Sequence, residues 1–515
     1  GSFYAFAIWC GLGIAAIYGW MKKLLKAKDS NCTSAKLAAV IAFVPAVAVP
    51  LQMVSQTWDD HDRSNRYMCR DFGLNYLETI PHDGIIFTNG DNDTFPLWYN
   101  EDTEGNRTDV RVCNLSYLQT DWYIDQMKRP AYEGEGQSSP LPISWNRLQY
   151  TAGKNEIVEV NPQLPSGDGQ TIKDFILEQY RTNPEEARKL FGDEPFELTN
   201  VMKNFVLNEQ LDPMFRCIPS DTVYVKVDKE AVRKSGMMIP GDSIPDRMAI
   251  SLSGTKSLYK NQLMMLEMLA QSQFRRPIYM STTVGASNYG NLYKHFVMEG
   301  LAYRITPFTF DGNSQMSTVV DSEIMYDNMM NKYKYGNLKQ KGLYVDETSM
   351  RMCYTHRRWF SELITKLLEE GKKDKAKKAL EKCATEIPDY NVPHDVGCGS
   401  LSLATAYVEC GMPEKGEAIF NALEKKAIEY ANWYLGLSDR RFSYSVDECI
   451  RQMNILELIW RNYSKMANEK QENGQPLMGK KAEAYAKKAA EMENTLNSLY
   501  MKLQSKASQA GISLQ

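Results

Sequence analysis

Two uncharged apolar runs near the start of the chain constrain its fold more than any other feature. Residues 3–20 and 37–54 lack charged side chains, and each has about the eighteen residues that an α-helix needs to cross a bilayer. The second run contains Pro45 and Pro50, which membrane helices tolerate better than soluble ones. The sequence therefore predicts a transmembrane helical hairpin over residues 1–54. A buried hairpin of a soluble protein is the alternative.

The polar segment between the two runs predicts their orientation. Residues 21–36 hold five lysines and one aspartate. Because positively charged loops stay on the cytoplasmic side of a membrane, we expect this loop to be cytoplasmic and the chain after residue 54 to be extracytoplasmic. The chain starts with Gly1 and Ser2, without a Met or a basic leader, so we expect it to be a piece of a longer protein.

The first residues after the second run are strongly polar. Carboxylates and an imidazole at this density can bind a divalent cation, or a phosphate-linked lipid through that cation. The alternative is the solvated start of a following helix, whose dipole would favour Asp62. We call this group the membrane-proximal cluster, and its members are Asp59, Asp60, His61, Asp62 and Arg63.

A strand-loop-helix pattern follows. Residues 84–87 have the β-branched and aromatic composition of a buried strand, and Asp93 or Thr94, ahead of Pro96, is typical of a helix start. A second apolar run at 109–115 completes a β-α-β unit. Asp91 and Asp93 then lie at the carboxyl end of the first strand, which is the edge where open α/β sheets bind ligands.

This edge is the predicted ligand-binding site. We expect Asp91, Asn92 and Asp93 to supply polar contacts, and Trp98 and Tyr99 to offer surfaces for sugar stacking. The alternative interpretation is structural, because Asp and Asn before a helix are commonly caps and turn formers.

A second unit repeats this order. Residues 257–274 predict an apolar-striped helix, and residues 278–284 a strand that ends in Thr282 and Thr283. A helix is expected around 292–298 and another strand at 301–307. One Rossmann-like sheet can hold both units, so Thr282 and Thr283 are added to the predicted ligand-binding site, although hydroxyls at strand ends are commonly structural.

The remainder divides into two regions. Residues 130–250 predict an irregular insert within an α/β domain over 55–345, because prolines interrupt their short strands and helices. Residues 346–515 predict a helical domain. In it, segments 367–379 and 407–419 superpose at a shift of 40 residues, as TPR-like helical hairpins would. Such arrays commonly bind protein segments or brace a neighbouring domain.

The composition bears on possible partners and on the role of the cysteines. The formal net charge is −4, which argues against nucleic acid as a partner. The ten cysteines form no C-x-x-C pair and no metal-finger spacing, so we expect most of them to be small core residues.

Several strings resemble a known family. The segments 58–64, 90–99, 108–112, 120–124, 276–279 and 299–304 are similar to large polytopic membrane proteins of Bacteroidetes, the protein O-mannosyltransferase-like glycosyltransferases of the GT-C type. The resemblance covers essentially the whole chain and corresponds to the C-terminal portion of that family. It implies a bacterial inner-membrane protein with most of this chain in the periplasm.

The resemblance also limits what this chain does alone. In GT-C enzymes the catalytic acid lies in the first extracytoplasmic loop of a membrane domain that binds a lipid-linked sugar, and that part is absent here. The catalytic residues are therefore unknown, and no residue of this chain inherits that role.

Three functions are compatible with the sequence. The leading hypothesis is acceptor recognition, for a protein or glycan acceptor, beside the catalytic membrane domain of a glycosyltransferase. The alternative is a non-catalytic envelope scaffold whose helical array recruits a protein partner. A free-standing hydrolase that uses Asp91, Asp93 and His61 is weaker, because no nucleophile elbow, P-loop or zinc motif occurs.

Overall fold

A computed structural model describes residues 1–165, 169–314, 317–468 and 479–514, except for the side chains of Asp59 and Lys480. The described chain forms two compact units. One comprises residues 1–66 with the short segment 342–346, and the other comprises residues 67–341 and 347–515.

The first unit contains the two apolar helices. Helix α1 (Ser2–Leu24) packs along α2 (Thr33–His61), and both are long and apolar enough to cross a membrane. Helix α1 buries none of its residues, and large apolar side chains such as Trp9 and Leu51 are exposed. A soluble protein rarely exposes apolar surface on this scale. The alternative of a buried hairpin is therefore wrong, and the helices support a membrane anchor.

The second unit is built around a mixed sheet. Within the described residues, six strands pair in the order β10-β8-β9-β7-β1-β2. Strand β1 is parallel to both of its neighbours, whereas β9 is antiparallel to both of its own. Two small antiparallel pairs, β3 with β6 and β4 with β5, lie outside this sheet. The strands are β1 (Ile85–Thr88), β2 (Arg111–Asn114), β3 (Ile157–Glu159), β4 (Thr222–Lys226), β5 (Arg247–Ser251), β6 (Ser257–Tyr259), β7 (Ile278–Ser281), β8 (Phe296–Met298), β9 (Ala302–Ile305) and β10 (Val319–Val320).

Helices flank the sheet and enclose its core. Helix α11 is buried along most of its length through residues such as Leu263 and Leu266, which pack with Phe87 of β1 and Met280 of β7 in one apolar cluster. The helices of this part are α3 (Met68–Thr79), α4 (Asp91–Trp98), α5 (Asp121–Met127), α6 (Arg147–Tyr150), α7 (Ile172–Thr182), α8 (Pro184–Phe191), α9 (Leu198–Asn200), α10 (Lys229–Lys234), α11 (Lys260–Ser272) and α12 (Ser322–Asp327). Single π-helical turns continue α4, α9 and α12 at Tyr99–Thr103, Val201–Val206 and Asn328–Lys332.

From residue 347 the described elements are helical. The first of them, α13, buries Phe360, Ile364 and Leu367 at the spacing of one helix face. Gly371 and Gly411 adopt positive φ angles of 71° and 80° at the tight turns that follow α13 and α15, which glycine permits at no steric cost. The helices are α13 (Glu347–Glu369), α14 (Lys373–Glu386), α15 (Ser400–Glu409), α16 (Pro413–Leu435), α17 (Asp439–Phe442), α18 (Val446–Asn468) and α19 (Ala482–Gln509).

The mixed α/β class, the two apolar helices and the helical C-terminal region are confirmed. A Rossmann-like sheet and a TPR-like array stay predictions. Two local expectations are wrong. Helix α4 begins at Asp91, so Pro96 lies inside the helix and not at its start. Residues 292–298, expected to be helical, form a 3₁₀ turn followed by β8.

Candidate functional site

The candidate site lies at one edge of the six-stranded sheet. Strands β7, β1 and β2 run parallel, and the register pairs Thr88 with Asn114 and Phe87 with Met280. The three carboxyl ends therefore meet at the same edge. We call the polar surface formed by the loops after these strands the edge crevice, and its members are Asp91, Asp93, Ser116, Tyr117 and Thr283.

Asp93 holds this edge together. Its carboxylate accepts hydrogen bonds from the backbone N–H groups of Asn89 (3.2 Å) and Gly90 (2.9 Å). It accepts a third from the hydroxyl of Thr283 at 2.6 Å. Asp93 thus caps the first turn of α4 and ties it to the loop after β7, as a capping carboxylate does.

Asp91 is placed differently, although it is only two residues away. It is the first residue of α4 and is exposed. Its Oδ1 accepts a hydrogen bond from the hydroxyl of Tyr117 at 3.1 Å, which raises the pKa of Tyr117. Its charge is favourable near the amino end of the helix. Asn92 is exposed beside it.

A buried polar layer supports the crevice from below. The hydroxyls of Thr88 and Thr94 lie 2.7 Å apart, and the Asn114 amide donates to Thr94 at 3.0 Å. The side-chain Oδ1 of Asn114 accepts hydrogen bonds from the backbone N–H groups of Ser116 (2.8 Å) and Tyr117 (3.2 Å). Asn114 therefore fixes the loop that presents the Tyr117 hydroxyl to Asp91. The sequence prediction missed both residues, although a polar residue at the end of the second strand was the available signal.

An exposed row of aromatic rings adjoins Asp91. Successive ring centroids of Phe95, Trp98, Tyr117 and Trp122 are 5.6, 6.3 and 5.8 Å apart. Phe95 is 47% exposed and Trp122 is 52% exposed. We call these four residues the aromatic strip. Trp98 and Tyr117 are partly buried against the core, so the strip is a candidate binding surface through its exposed ring faces.

The structure does not bring every predicted residue into the crevice. The Tyr99 hydroxyl donates to Glu104 at 2.7 Å, and no ring contact joins Tyr99 to the strip among the described residues. The hydroxyl of Thr282 lies 3.5 Å from that of Tyr76, a buried residue whose pKa is raised to about 12 by burial. Trp98 and Thr283 are the predicted residues that the crevice and the strip do contain, together with Asp91 and Asp93.

The membrane-proximal cluster ends a helix. Helix α2 runs to His61, and α3 begins at Met68, so the alternative that these residues start the next helix is wrong. Asp60 accepts a hydrogen bond from the hydroxyl of Tyr344, while His61 Nδ1 lies 2.9 Å from the Thr57 carbonyl oxygen.

Asp62 directly follows this helix and orders the loop after it. Its carboxylate accepts the backbone N–H of Ser64 at 2.9 Å, and hydrogen bonds from Ser64 lower the pKa of Asp62. Arg63 follows it in the loop between α2 and α3, and the side chain of Asp59 lies outside the described residues. In the described part of the chain, no group of three or more His, Cys, Asp or Glu residues is arranged to hold a metal ion. Cation binding here stays a prediction.

Comparison with known proteins gives a match to a family model and a match to a curated relative. Residues 69–324 match the family model described as TMEM260-associated domain 2, a range that begins within α3 and ends within α12. The protein O-mannosyl-transferase tmem260 of Dictyostelium discoideum is 22% identical over 175 residues, which is 33% of this chain and 19% of that relative. The match thus spans about a fifth of the relative's length. No solved structure matches the chain.

These matches support a relationship to O-mannosyltransferase-like proteins. Together with the two apolar helices, they indicate a glycosyltransferase-related membrane protein. An origin in Bacteroidetes and a C-terminal position in the parent protein stay predictions.

Proposed function

We propose that this chain is the extracytoplasmic, acceptor-recognising part of a GT-C-like membrane glycosyltransferase whose catalytic membrane domain lies outside this chain. The observation that carries the proposal is the exposed carboxylate of Asp91 next to the aromatic strip. The match of residues 69–324 supports it, because that range contains the whole edge crevice.

The chemistry of the crevice suits a hydroxyl acceptor. The relative is named an O-mannosyl-transferase, and such an enzyme transfers its sugar to an oxygen atom. Asp91 would accept a hydrogen bond from an acceptor hydroxyl, and hydrogen bonds to charged groups are the stronger ones. The rings of Phe95, Trp98 and Trp122 would pack against the apolar face of a sugar or against apolar side chains. In this role the crevice binds and orients the acceptor, and the catalytic acid would lie in the membrane domain.

The lysine-rich loop between α1 and α2 supports an orientation with this crevice in the periplasm of a bacterial inner membrane. The membrane-proximal cluster would then lie at the outer surface, near the phosphate of a lipid-linked sugar. Replacing its three aspartates by asparagine should reduce transfer by the parent protein while leaving its thermal midpoint nearly unchanged. A large loss of stability with normal transfer would contradict this role.

The decisive experiment replaces Asp91 by asparagine in the parent protein. Asp91→Asn keeps the shape of the side chain and removes its charge. A hydrogen bond to a charged group is worth about 1.5–3 kcal/mol, so the acceptor KM should rise about tenfold or more. Asp242→Asn is the matched control, because Asp242 is also an exposed aspartate of this unit but lies outside the crevice.

Asp93→Asn separates recognition from support. An asparagine amide would face one of the three donors that Asp93 now accepts from, so this variant should lose stability. Unchanged acceptor KM in Asp91→Asn, with the control normal, would contradict acceptor recognition at this edge.

A scaffold function is the second candidate, because the helical region carries a groove. A cavity of about 560 Å³ is lined by Tyr430 and Tyr434 of α16, by Glu448 and Arg451 of α18 and by Asp395. Paired charges and tyrosines of this kind suit a polypeptide segment. Loss of a protein partner in Tyr430→Ala, with normal glycosyl transfer in Asp91→Asn, would favour the scaffold over acceptor recognition.

A further inference from the structure

The lysine-rich loop between α1 and α2 concentrates positive charge at one end of the helical hairpin. Residues 21–36 hold five lysines against one aspartate. Two of these lysines lie in the last turn of α1, and one is the fourth residue of α2. The five are Lys22, Lys23, Lys26, Lys28 and Lys36, and all but Lys22 are exposed.

The protein leaves most of this charge unpaired. The aspartate is Asp29, whose Oδ1 accepts hydrogen bonds from the backbone N–H groups two and three residues further on, each at 2.8 Å. The ammonium group of Lys22 donates to the Ser30 hydroxyl at 3.2 Å and lies 5.8 Å from the centroid of the Tyr18 ring, and both partners are neutral. Among the residues that the structure describes, none of the five lysines forms an ion pair with a carboxylate. Their charges are therefore available to an anionic ligand.

The sequence around these lysines places them at the level of lipid headgroups. Both helices are long and apolar enough to cross a membrane, so the segment that joins them lies at one surface of the bilayer. Trp20 is 64% exposed near the end of α1, and tryptophans of membrane helices lie at the interface. Lys22 and Lys23 follow Trp20 by two and three residues, which is about 3–5 Å along the helix axis. Their ammonium groups can therefore reach the lipid phosphates.

Lysines of both helices lie at this same end of the hairpin. Only residues 25–32 separate the end of α1 from the start of α2. The hydrogen bond between Lys22 and Ser30 joins the last turn of α1 to the segment just before α2. A phosphate at this end is therefore attracted by several ammonium groups at once.

The charge of the loop selects among lipid headgroups. Phosphatidylglycerol carries the negative charge of one phosphate, whereas phosphatidylethanolamine carries the same phosphate and an ammonium group that cancels it. Lysines attract the phosphate of either lipid but repel the ammonium group of the second. Polybasic segments beside a membrane-spanning helix attract anionic lipids for this reason.

We propose that the lysine-rich loop binds the headgroups of anionic phospholipids, with lysines from both helix ends around the phosphate. The acyl chains would lie along the apolar surface of the hairpin, which is exposed at residues such as Leu12 and Leu37. This site and the membrane-proximal cluster lie at opposite ends of α2. The proposal depends on the membrane anchor and not on glycosyl transfer, so it can fail without acceptor recognition at Asp91 failing.

The test measures lipid binding to the full chain by native mass spectrometry. The chain is purified in a neutral detergent and titrated with phosphatidylglycerol or phosphatidylethanolamine of the same acyl chains, so that the two probes differ in the headgroup alone. Glutamine replaces the five lysines of the loop in the test variant, because it removes the charge and has nearly the helix propensity of lysine. The matched control replaces five exposed lysines of the second unit and changes the net charge equally. These are Lys189, Lys234, Lys378, Lys425 and Lys502.

Phosphatidylglycerol should bind the wild-type chain at least about fivefold more tightly than phosphatidylethanolamine, because each lysine near the surface adds to the attraction. This preference should fall below about twofold in the five-lysine variant and persist in the control. It should also weaken between about 0.1 M and about 1 M salt, since the Debye length falls from about 10 Å to about 3 Å.

Thermal unfolding identifies any variant that fails to fold. A second variant replaces Lys26 and Lys28 alone, which lie outside both helices. It should lose at least about twofold of the preference for phosphatidylglycerol, and it keeps the proposal testable if the five-lysine variant does not fold.

Four results would overturn the proposal. The first is equal binding of the two lipids to the wild-type chain. The second is a preference that survives in a folded five-lysine variant. The third is an equal loss of preference in the control, which would assign the effect to the net charge of the chain. The fourth is displacement of the lipid by an equal concentration of glycerol 3-phosphate, which would assign the loop to a soluble phosphate.

Discussion

His356 gives the folded protein a stability that depends on pH. It lies on α13 where that helix meets α3, and its ring stacks on Phe72 with the centroids 3.9 Å apart. The side chain is fully buried. Burial in these surroundings lowers the pKa of His356 to about 4, because the charged ring would lose its hydration without gaining a counter-charge.

The hydrogen bonds around His356 define which ring nitrogen carries the proton. Asn75 donates to the Lys334 carbonyl oxygen and accepts from the Lys334 N–H, each at 2.8 Å, so the orientation of its amide is fixed. Its Nδ2 therefore also donates to His356 Nε2, 3.1 Å away, while Nδ1 donates to the Met352 carbonyl oxygen at 2.8 Å. A proton on Nε2 would oppose the Asn75 amide with a second donor.

The sign and size of the effect follow from linkage. The unfolded chain takes up a proton on this histidine near pH 6.5, whereas the folded chain does so only near 4. Stability from this residue is therefore complete above about 6.5 and falls as the pH drops toward 4. A shift of one pKa unit corresponds to about 1.4 kcal/mol, so lowering the pH from about 7.5 to about 5 should cost about 2 kcal/mol from His356.

The assay compares urea unfolding of the full chain and of His356→Phe at both pH values. The variant keeps the stacking on Phe72, and Asn75 keeps its bond to Lys334. Burial also lowers the pKa of His394, so both proteins should lose stability in acid, but the wild type should lose about 2 kcal/mol more. Equal losses in the two proteins would refute the reasoning.

Three further predictions concern other parts of the chain. Arg304→Met should destabilise the α/β part by about 3–5 kcal/mol in a urea titration, because it leaves the buried Glu299 carboxylate, 3.5 Å from the guanidinium, without its cation. Adding Glu299→Gln to the same chain should restore part of that loss. Gly73→Ala should lower the thermal midpoint although alanine favours helices, since the new Cβ would lie 2.5 Å from the Pro96 carbonyl oxygen. Unchanged stability would show that α3 and α4 separate easily. Cys32, in the loop between the apolar helices, should be shielded from a membrane-impermeant thiol reagent in intact cells, while a reporter fused after residue 515 should be extracytoplasmic. Labelling of Cys32 from outside would reverse the proposed orientation.

Much of the sheet could be predicted, because four of its strands are short apolar runs in the sequence. The runs at 84–87, 109–115, 278–284 and 301–307 correspond to β1, β2, β7 and β9. Strands β8 and β10 escaped prediction for a physical reason. They have three and two residues, too few to show a periodicity, and their pairing is set by neighbours far along the chain.

Sequence reasoning missed two buried charged residues for a different reason. Glu101 and Arg111 look like ordinary surface charges in the sequence, since charged residues are rarely buried. Only the fold shows that they are 5% and 3% exposed.

The division of labour between Asp91 and Asp93 shows how finely such roles depend on a helix start. Both precede an apolar turn, and from the sequence each could be either a ligand-binding residue or a helix cap. Because Gly90 is the residue before the helix, the third helical position falls on Asp93, and that position reaches back to the free N–H groups. Successive residues on a helix are about 100° apart, so Asp91 is turned well away from Asp93 and meets Tyr117 instead. A start one residue later would have offered Thr94 as the capping side chain. Where the helix begins therefore decides which carboxylate stays available for the proposed acceptor, and a helix boundary is the feature that sequence patterns locate least reliably.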